Sequence, residues 1–127
     1  MLTEKIVGHA SNRYCIVLES SKLSSRLGEK APVPVAIVPE ALVTVSRRLQ
    51  ELGGTVELRM AVRKAGPVVS DHGNLVLDVT FLESFDPQQL EARIMGIPGV
   101  TANGIFTRPV NDLFIGHPDG QVQHESR

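Results

Sequence analysis

The sequence predicts a mixed α/β (α+β) protein built around one β-α-β-β-α-β run over residues 33–107, with one further short strand on each side. Three observations carry this. Apolar residues alternate with period two at 56–62 and 75–81, recur at spacings of three and four at 42–52 and 90–97, and are separated by Gly and Pro punctuation. With 127 residues, 42% of them hydrophobic and 21% charged, the chain has enough apolar material for a packed core and too little net charge for obligate disorder.

Thr3 is placed to cap a helix through Glu4, Lys5, Ile6 and Val7. The continuous apolar run Tyr14-Cys15-Ile16-Val17-Leu18 reads as a strand buried on both faces. Ser20, Ser21 and Lys22 open a turn or short helix that closes near Gly28, before the Pro-rich Ala31-Pro32-Val33-Pro34. Residues 33–38 form the next strand, and Pro39 then stands at a first helical position, followed by Leu42, Val45, Leu49 and Leu52 on one helix face. Gly53-Gly54 stops that helix. Val56, Leu58, Met60 and Val62 face one way in a half-buried strand. The turn Asp71-His72-Gly73-Asn74 leads into a strand with Leu75, Leu77, Val79 and Phe81 on one side. Asp86-Pro87 starts a helix, with Gln89 positioned for a capping box and Leu90, Ile94 and Ile97 as its buried stripe. Pro98-Gly99 ends it, and residues 100–107 supply the last strand of a split βαβ, or ferredoxin-like, arrangement: one antiparallel sheet with two helices on one face. Beyond it, Asp112-Leu113-Phe114-Ile115-Gly116 is a short apolar strand, His117-Pro118-Asp119-Gly120 a turn, and the rest a polar tail. The two outer strands lack partners within this pattern.

Composition excludes several functions. Thirteen basic against fourteen acidic residues give a net charge of -1, so no general field draws a polyanion, and the 4% aromatic content removes the stacking surfaces of nucleic-acid sheets. Neither nucleic acid nor membrane is expected as a partner, since no apolar stretch approaches the ~20 residues of a span. The single cysteine, Cys15, cannot form an internal disulfide, which fits a reducing cytoplasm, and its apolar setting reads as a small hydrophobe. No Gly-rich phosphate loop occurs, and His9, His72, His117 and His124 lack metal-ligand spacing, so neither a metal nor another cofactor is expected. Glu4 and Lys22 flank the first apolar strand; spacing alone reads them as a charge complementing a helix dipole and a solvated cation.

Several stretches in order resemble the A-type ribose-5-phosphate isomerases, specifically their C-terminal half. They include Leu2-Thr3-Glu4-Lys5-Ile6-Val7, Ser21-Lys22, Leu27-Gly28-Glu29-Lys30-Ala31-Pro32-Val33-Pro34-Val35, Leu52-Gly53-Gly54 and Val69-Ser70-Asp71-His72-Gly73-Asn74. The series continues with Ile97-Pro98-Gly99-Val100, Asn103-Gly104-Ile105-Phe106, and Ile115-Gly116 followed by Asp119-Gly120.

The resemblance implies that residues 1–30 and 108–127 belong to a Rossmann-like α/β domain into which a ferredoxin-like domain, 31–107, is inserted. It also implies the reversible conversion of D-ribose 5-phosphate into D-ribulose 5-phosphate, in the non-oxidative branch of the pentose phosphate pathway, without a metal. Such chemistry needs a carboxylate that moves a proton from C2 to C1 and donors that stabilise an enediolate. By the resemblance, Glu4 is that base and Lys22 a substrate-binding cation, and the protein is a homo-oligomer. Departures are visible. The family's Gly-Thr-Gly-Ser-type, Asp-Gly-Ala-Asp and Lys-Gly-Gly-Gly segments have no counterpart in this sequence, Leu2-Thr3-Glu4 is one residue shorter than the usual motif, and Ala36 replaces a common Glu. The length therefore reads as a C-terminal portion. The alternative is an inactive isomerase-derived module for oligomerisation or small-ligand binding.

Overall fold

A computed structural model describes residues 1–63 and 65–126. They divide into two units, Met1–Leu2 with Arg26–Thr107, and Thr3–Ser25 with Arg108–Arg127.

The first unit holds β2 (Val33–Ile37), α2 (Leu42–Glu51), β3 (Gly54–Leu58), β4 (Leu75–Phe81), α3 (Pro87–Met95) and β5 (Val100–Asn103). Its sheet has the order β3-β4-β2-β5, every neighbouring pair antiparallel, which is the strand order of the split βαβ arrangement. Register places the apolar residues in rows: Val56 opposite Val79 opposite Val33, and Leu58 opposite Leu77 opposite Val35. These rows pack on Val45 and Leu49 of α2 and on Leu90 and Ile94 of α3, in one core. Val56 and Leu58 are partly buried at the margin of that core, and each of its fully buried side chains contributes about 1.5–3 kcal/mol of transfer free energy.

The expected helix boundaries hold for physical reasons visible in the structure. Pro39 begins a 3-10 turn, Pro39–Ala41, that leads directly into α2. Gly53 follows α2 at φ 89°, a left-handed conformation open to glycine at little strain. Asp86 accepts a hydrogen bond from the Gln89 backbone N–H at 2.8 Å and caps α3. After α3, Gly99 takes φ 97°, and its carbonyl accepts from the Val38 N–H at 2.9 Å.

Two strands are shorter than the alternation predicts. β3 ends at Leu58, and the chain leaves the sheet as a small hairpin, with Ala61 N–H donating to Gly66 O and Val68 N–H to Arg59 O. Met60 is 56% and Val62 99% exposed, so the apolar alternation there faces water rather than the core. β5 ends at Asn103 because that side chain's carbonyl accepts the Ile105 N–H at 2.9 Å, turning the chain while Ile105 stays buried.

The second unit contains α1 (Leu2–Ala10) from Thr3 onward, β1 (Cys15–Glu19), a 3-10 turn at Ser20–Lys22, β6 (Asp112–Gly116) and β7 (Val122–Ser126). Its sheet has the order β1-β6-β7. The strands expected to lack partners pair with each other in parallel, Cys15 opposite Asp112 through Glu19 opposite Gly116. The expected polar tail is instead β7, antiparallel to β6; backbone pairing needs no apolar alternation, and all five β7 residues are exposed. β1 is not buried on both faces. As an edge strand it half-buries Ile16 and Leu18 and exposes Cys15, Val17 and Glu19. Thr3 is not the cap of α1, since the helix already includes Leu2. Among the described residues no helix is long and apolar enough to cross a membrane.

Candidate active site

Glu4 and Lys22 both lie in the second unit. Glu4 is exposed in the first turn of α1. α1 has no extended packing against any strand among the described residues; it is held at its C-terminal end. There Gly8 packs on the Tyr14 ring, where an added Cβ would lie 3.6 Å from Cζ, and the Ser11 hydroxyl donates to Gly8 O at 2.9 Å. Arg108 ties this end to the next chain segment: Nη2 donates to Ser11 O at 2.9 Å while its guanidinium lies 5.9 Å from the Tyr14 ring centre.

Lys22 is the last residue of the 3-10 turn that follows β1, closed by Leu23 N–H donating to Ser20 O at 3.1 Å. It therefore stands exposed at the carboxyl end of a strand in a parallel pair, the end at which α/β sheets bind ligands. Among the described residues no ion pair or hydrogen bond joins Lys22 to Glu4. The fold positions the two from different elements and does not bring them into contact.

The register that sets the end of β1 is fixed at its beginning. Tyr14 N–H donates to Asn111 Oδ1 and Asn111 N–H to Tyr14 O, both at 2.8 Å. One step on, the Asp112 carboxylate is 1% exposed and gathers three partners through four contacts. Arg13 binds it through Nε at 2.6 Å and Nη2 at 3.0 Å, His124 Nε2 lies 2.9 Å from Oδ1, and Cys15 Sγ is 3.5 Å from Oδ2. The Arg13 hydrogen bonds, with those of His124 and Cys15, hold the Asp112 carboxyl well below the usual carboxylate range against the opposing effect of burial. The Cys15 thiol moves the other way, raised by burial first and then by its hydrogen bond to Asp112. Cys15 is thus an exposed residue with a protonated thiol tied to a carboxylate, not a packed hydrophobe. His124 also lies flat on Phe114, ring centres 4.3 Å apart and planes 2° from parallel.

Sequence reasoning missed Arg13, Asp112 and His124. The available signal was an aspartate at the head of an apolar strand, where a buried carboxylate needs charged partners; its partners, 99 and 12 residues away, have no local signature. Among the described residues no group of three or more His, Cys, Asp or Glu side chains is arranged to hold a metal ion.

One all-antiparallel sheet backed by two helices, and a second sheet with a parallel pair followed by a 3-10 turn that ends in Lys22, define a two-unit α/β protein with its candidate site at a strand's carboxyl end. The family model for ribose 5-phosphate isomerase A (phosphoriboisomerase A) matches residues 1–120. The ribose-5-phosphate isomerase A of Thermosynechococcus vestitus is 48% identical over 121 residues, which cover 94% of this chain and 51% of that protein. That of Treponema pallidum is 41% identical over 128 residues, 99% of this chain and 50% of that protein. Among solved structures, ribose 5-phosphate isomerase A of Methanocaldococcus jannaschii superposes with a TM-score of 0.91 at 41% identity, covering 99% of this chain and 55% of that one. A D-ribose-5-phosphate isomerase in complex with phospho-erythronic acid gives a TM-score of 0.91 at 34% identity, covering 98% and 54%. The chain belongs to the ribose 5-phosphate isomerase A family. It spans about half the length of the curated relatives it matches.

Proposed function

We propose that this chain contributes the C-terminal part of an enzyme that interconverts D-ribose 5-phosphate and D-ribulose 5-phosphate through an enediolate, in the cytoplasm and without a metal or other cofactor. The Glu4 carboxylate takes the proton from C2 of the ring-opened aldose, leaving an enediolate, and returns it to C1; the hydroxyl proton passes from O2 to O1, so atoms balance. Lys22 supplies positive charge to the anionic substrate. The observation that carries this reading is the placement of Lys22 at the carboxyl end of the parallel strand β1, in a chain whose family is the isomerase family. A relative with phospho-erythronic acid bound, a phosphorylated sugar acid, supports the substrate class.

In this reading residues 1–30 and 108–127 are part of a Rossmann-like α/β domain, and residues 31–107 are the ferredoxin-like domain inserted into it. Assembly into a homo-oligomer is part of the same proposal, supported by the exposed apolar side chains of Met60, Val62 and Val69, and is tested by the mass of the chain in solution. The catalytic test combines the chain with the N-terminal half of a relative and follows ketose formation. Glu4→Gln lowers kcat by about 10²–10⁴-fold, the range of a lost general base, and Lys22→Gln raises KM. Activity that survives Glu4→Gln unchanged removes Glu4 from the mechanism.

A further inference from the structure

A cavity of ≈ 490 Å³ opens in the first unit where the end of α2, the end of β4 and the first turns of α3 converge. Its size falls in the ~300–1,000 Å³ range of small-molecule sites. The floor is apolar. Phe81 and Leu90 are core residues at 5% exposure each, and the Phe85 ring stands edge-on to Phe81 with centres 5.5 Å apart. The rim carries Glu83 and Arg93, which form no ion pair among the described residues. Asp86 is different: its carboxylate is committed to the cap of α3. The rim loop is held by Arg26, whose Nη1 donates to Leu82 O at 3.2 Å.

Uncommitted charges of both signs above an aromatic floor select a particular chemistry. A purely apolar guest would desolvate Arg93 and Glu83 with no return. A simple anion would gain Arg93 and meet the repulsion of Glu83 and Asp86. We propose that this cavity binds a zwitterionic small molecule with an apolar tail, of the α-amino-acid class. Arg93 receives the carboxylate in the two-pronged geometry that guanidinium favours. Glu83, with the partial negative charge at the C-terminus of α2, receives the ammonium. The tail lies on Phe81, Phe85 and Leu90. Neither Glu4 nor Lys22 lines the cavity, and the inference does not rest on the isomerase reading.

The test is an amide NMR titration of the chain with L-leucine and L-phenylalanine. Saturable shifts confined to Leu52–Gly53, the Phe81–Phe85 segment and α3, with a Kd on the order of 1 mM, are expected. Arg93→Gln weakens binding about tenfold or more while leaving the remaining spectrum in place. 4-Methylpentanoate, which lacks the ammonium, and 3-methylbutylamine, which lacks the carboxylate, each bind more weakly than leucine by a similar factor. The proposal is overturned by an absence of saturable shifts with both amino acids, by shifts mapping elsewhere, or by an affinity indifferent to Arg93→Gln. It is equally overturned if 4-methylpentanoate or D-ribose 5-phosphate shifts the same amides as tightly as leucine, since the site then reads only an anion.

Discussion

Gly99 joins α3 to β5, and its replacement by alanine has two separable consequences. The residue sits at φ 97°, where an L side chain is strained by about 1–2 kcal/mol. A Cβ built there lies 2.3 Å from Ala41 Cβ, an atom rigidly attached to the backbone just before α2 that no rotamer change can move. Relieving such an overlap costs about 1–3 kcal/mol. Gly99→Ala therefore loses about 2–5 kcal/mol in all. Gly53 is the internal control: it has φ 89° but nothing within 4 Å of a built Cβ, so Gly53→Ala shows the conformational part alone, about 1–2 kcal/mol. The overlap is isolated by adding Ala41→Gly to Gly99→Ala, which removes the obstructing methyl and recovers about 1–3 kcal/mol beyond additivity. Urea unfolding followed by circular dichroism reads the parent chain, the three single variants and the double variant; with a slope of about 1.5 kcal/mol/M, a loss of 3 kcal/mol moves the midpoint by about 2 M. Equal losses for Gly53→Ala and Gly99→Ala, or strict additivity with Ala41→Gly, refute the close approach between the two turns.

Three further outcomes follow from the hydrogen-bonded groups. The folded Asp112 carboxyl lies below its ordinary 3.8, so the unfolded chain takes up the proton first as pH falls. Its stabilising contribution is complete above that ordinary value and fades as pH drops below it. Hydrogen exchange in β6 and β7 against pH shows this loss, and Asp112→Asn flattens that acid limb. The Cys15 thiol, raised above its ordinary value, reacts with iodoacetamide near neutral pH more slowly than a cysteine in a short peptide. Asp112→Asn removes one of the causes and speeds the alkylation. Asp86→Ala removes the cap of α3 and lowers stability by about 1 kcal/mol, measured by the same urea unfolding.

Much of the first unit was legible because its signals are local. A helix face repeats within one chain segment, so Val45 and Leu49 or Leu90 and Ile94 announce themselves by spacing, and Pro39, Gly53 and Asp86 mark the ends. The failures came where a distant segment decides. Met60 and Val62 alternate as well as Val56 and Leu58 do, but alternation cannot tell whether anything lies opposite; here the chain turns back on itself as a hairpin. Val122–Ser126 carries no apolar pattern and pairs all the same, because a ladder is made of backbone N–H and C=O groups that every residue except proline has. The roles proposed for Glu4 and Lys22 rest on resemblance alone, since a glutamate in a helix's first turn and a lysine after two serines are ordinary surface chemistry.

The amino-acid sequence by itself determined the β-α-β-β-α-β order of the middle segment, the ends of its two helices and the kinship with the isomerases, all matters of short-range pattern. Only the tertiary structure decided that β1 and β6 lie parallel, that Lys22 stands at the carboxyl end of that pair, and that Asp112 collects Arg13, Cys15 and His124 around one buried carboxylate. The physical reason is desolvation. A carboxylate removed from water must be surrounded by donors, and those donors are recruited by proximity in space from residues that the chain keeps far apart.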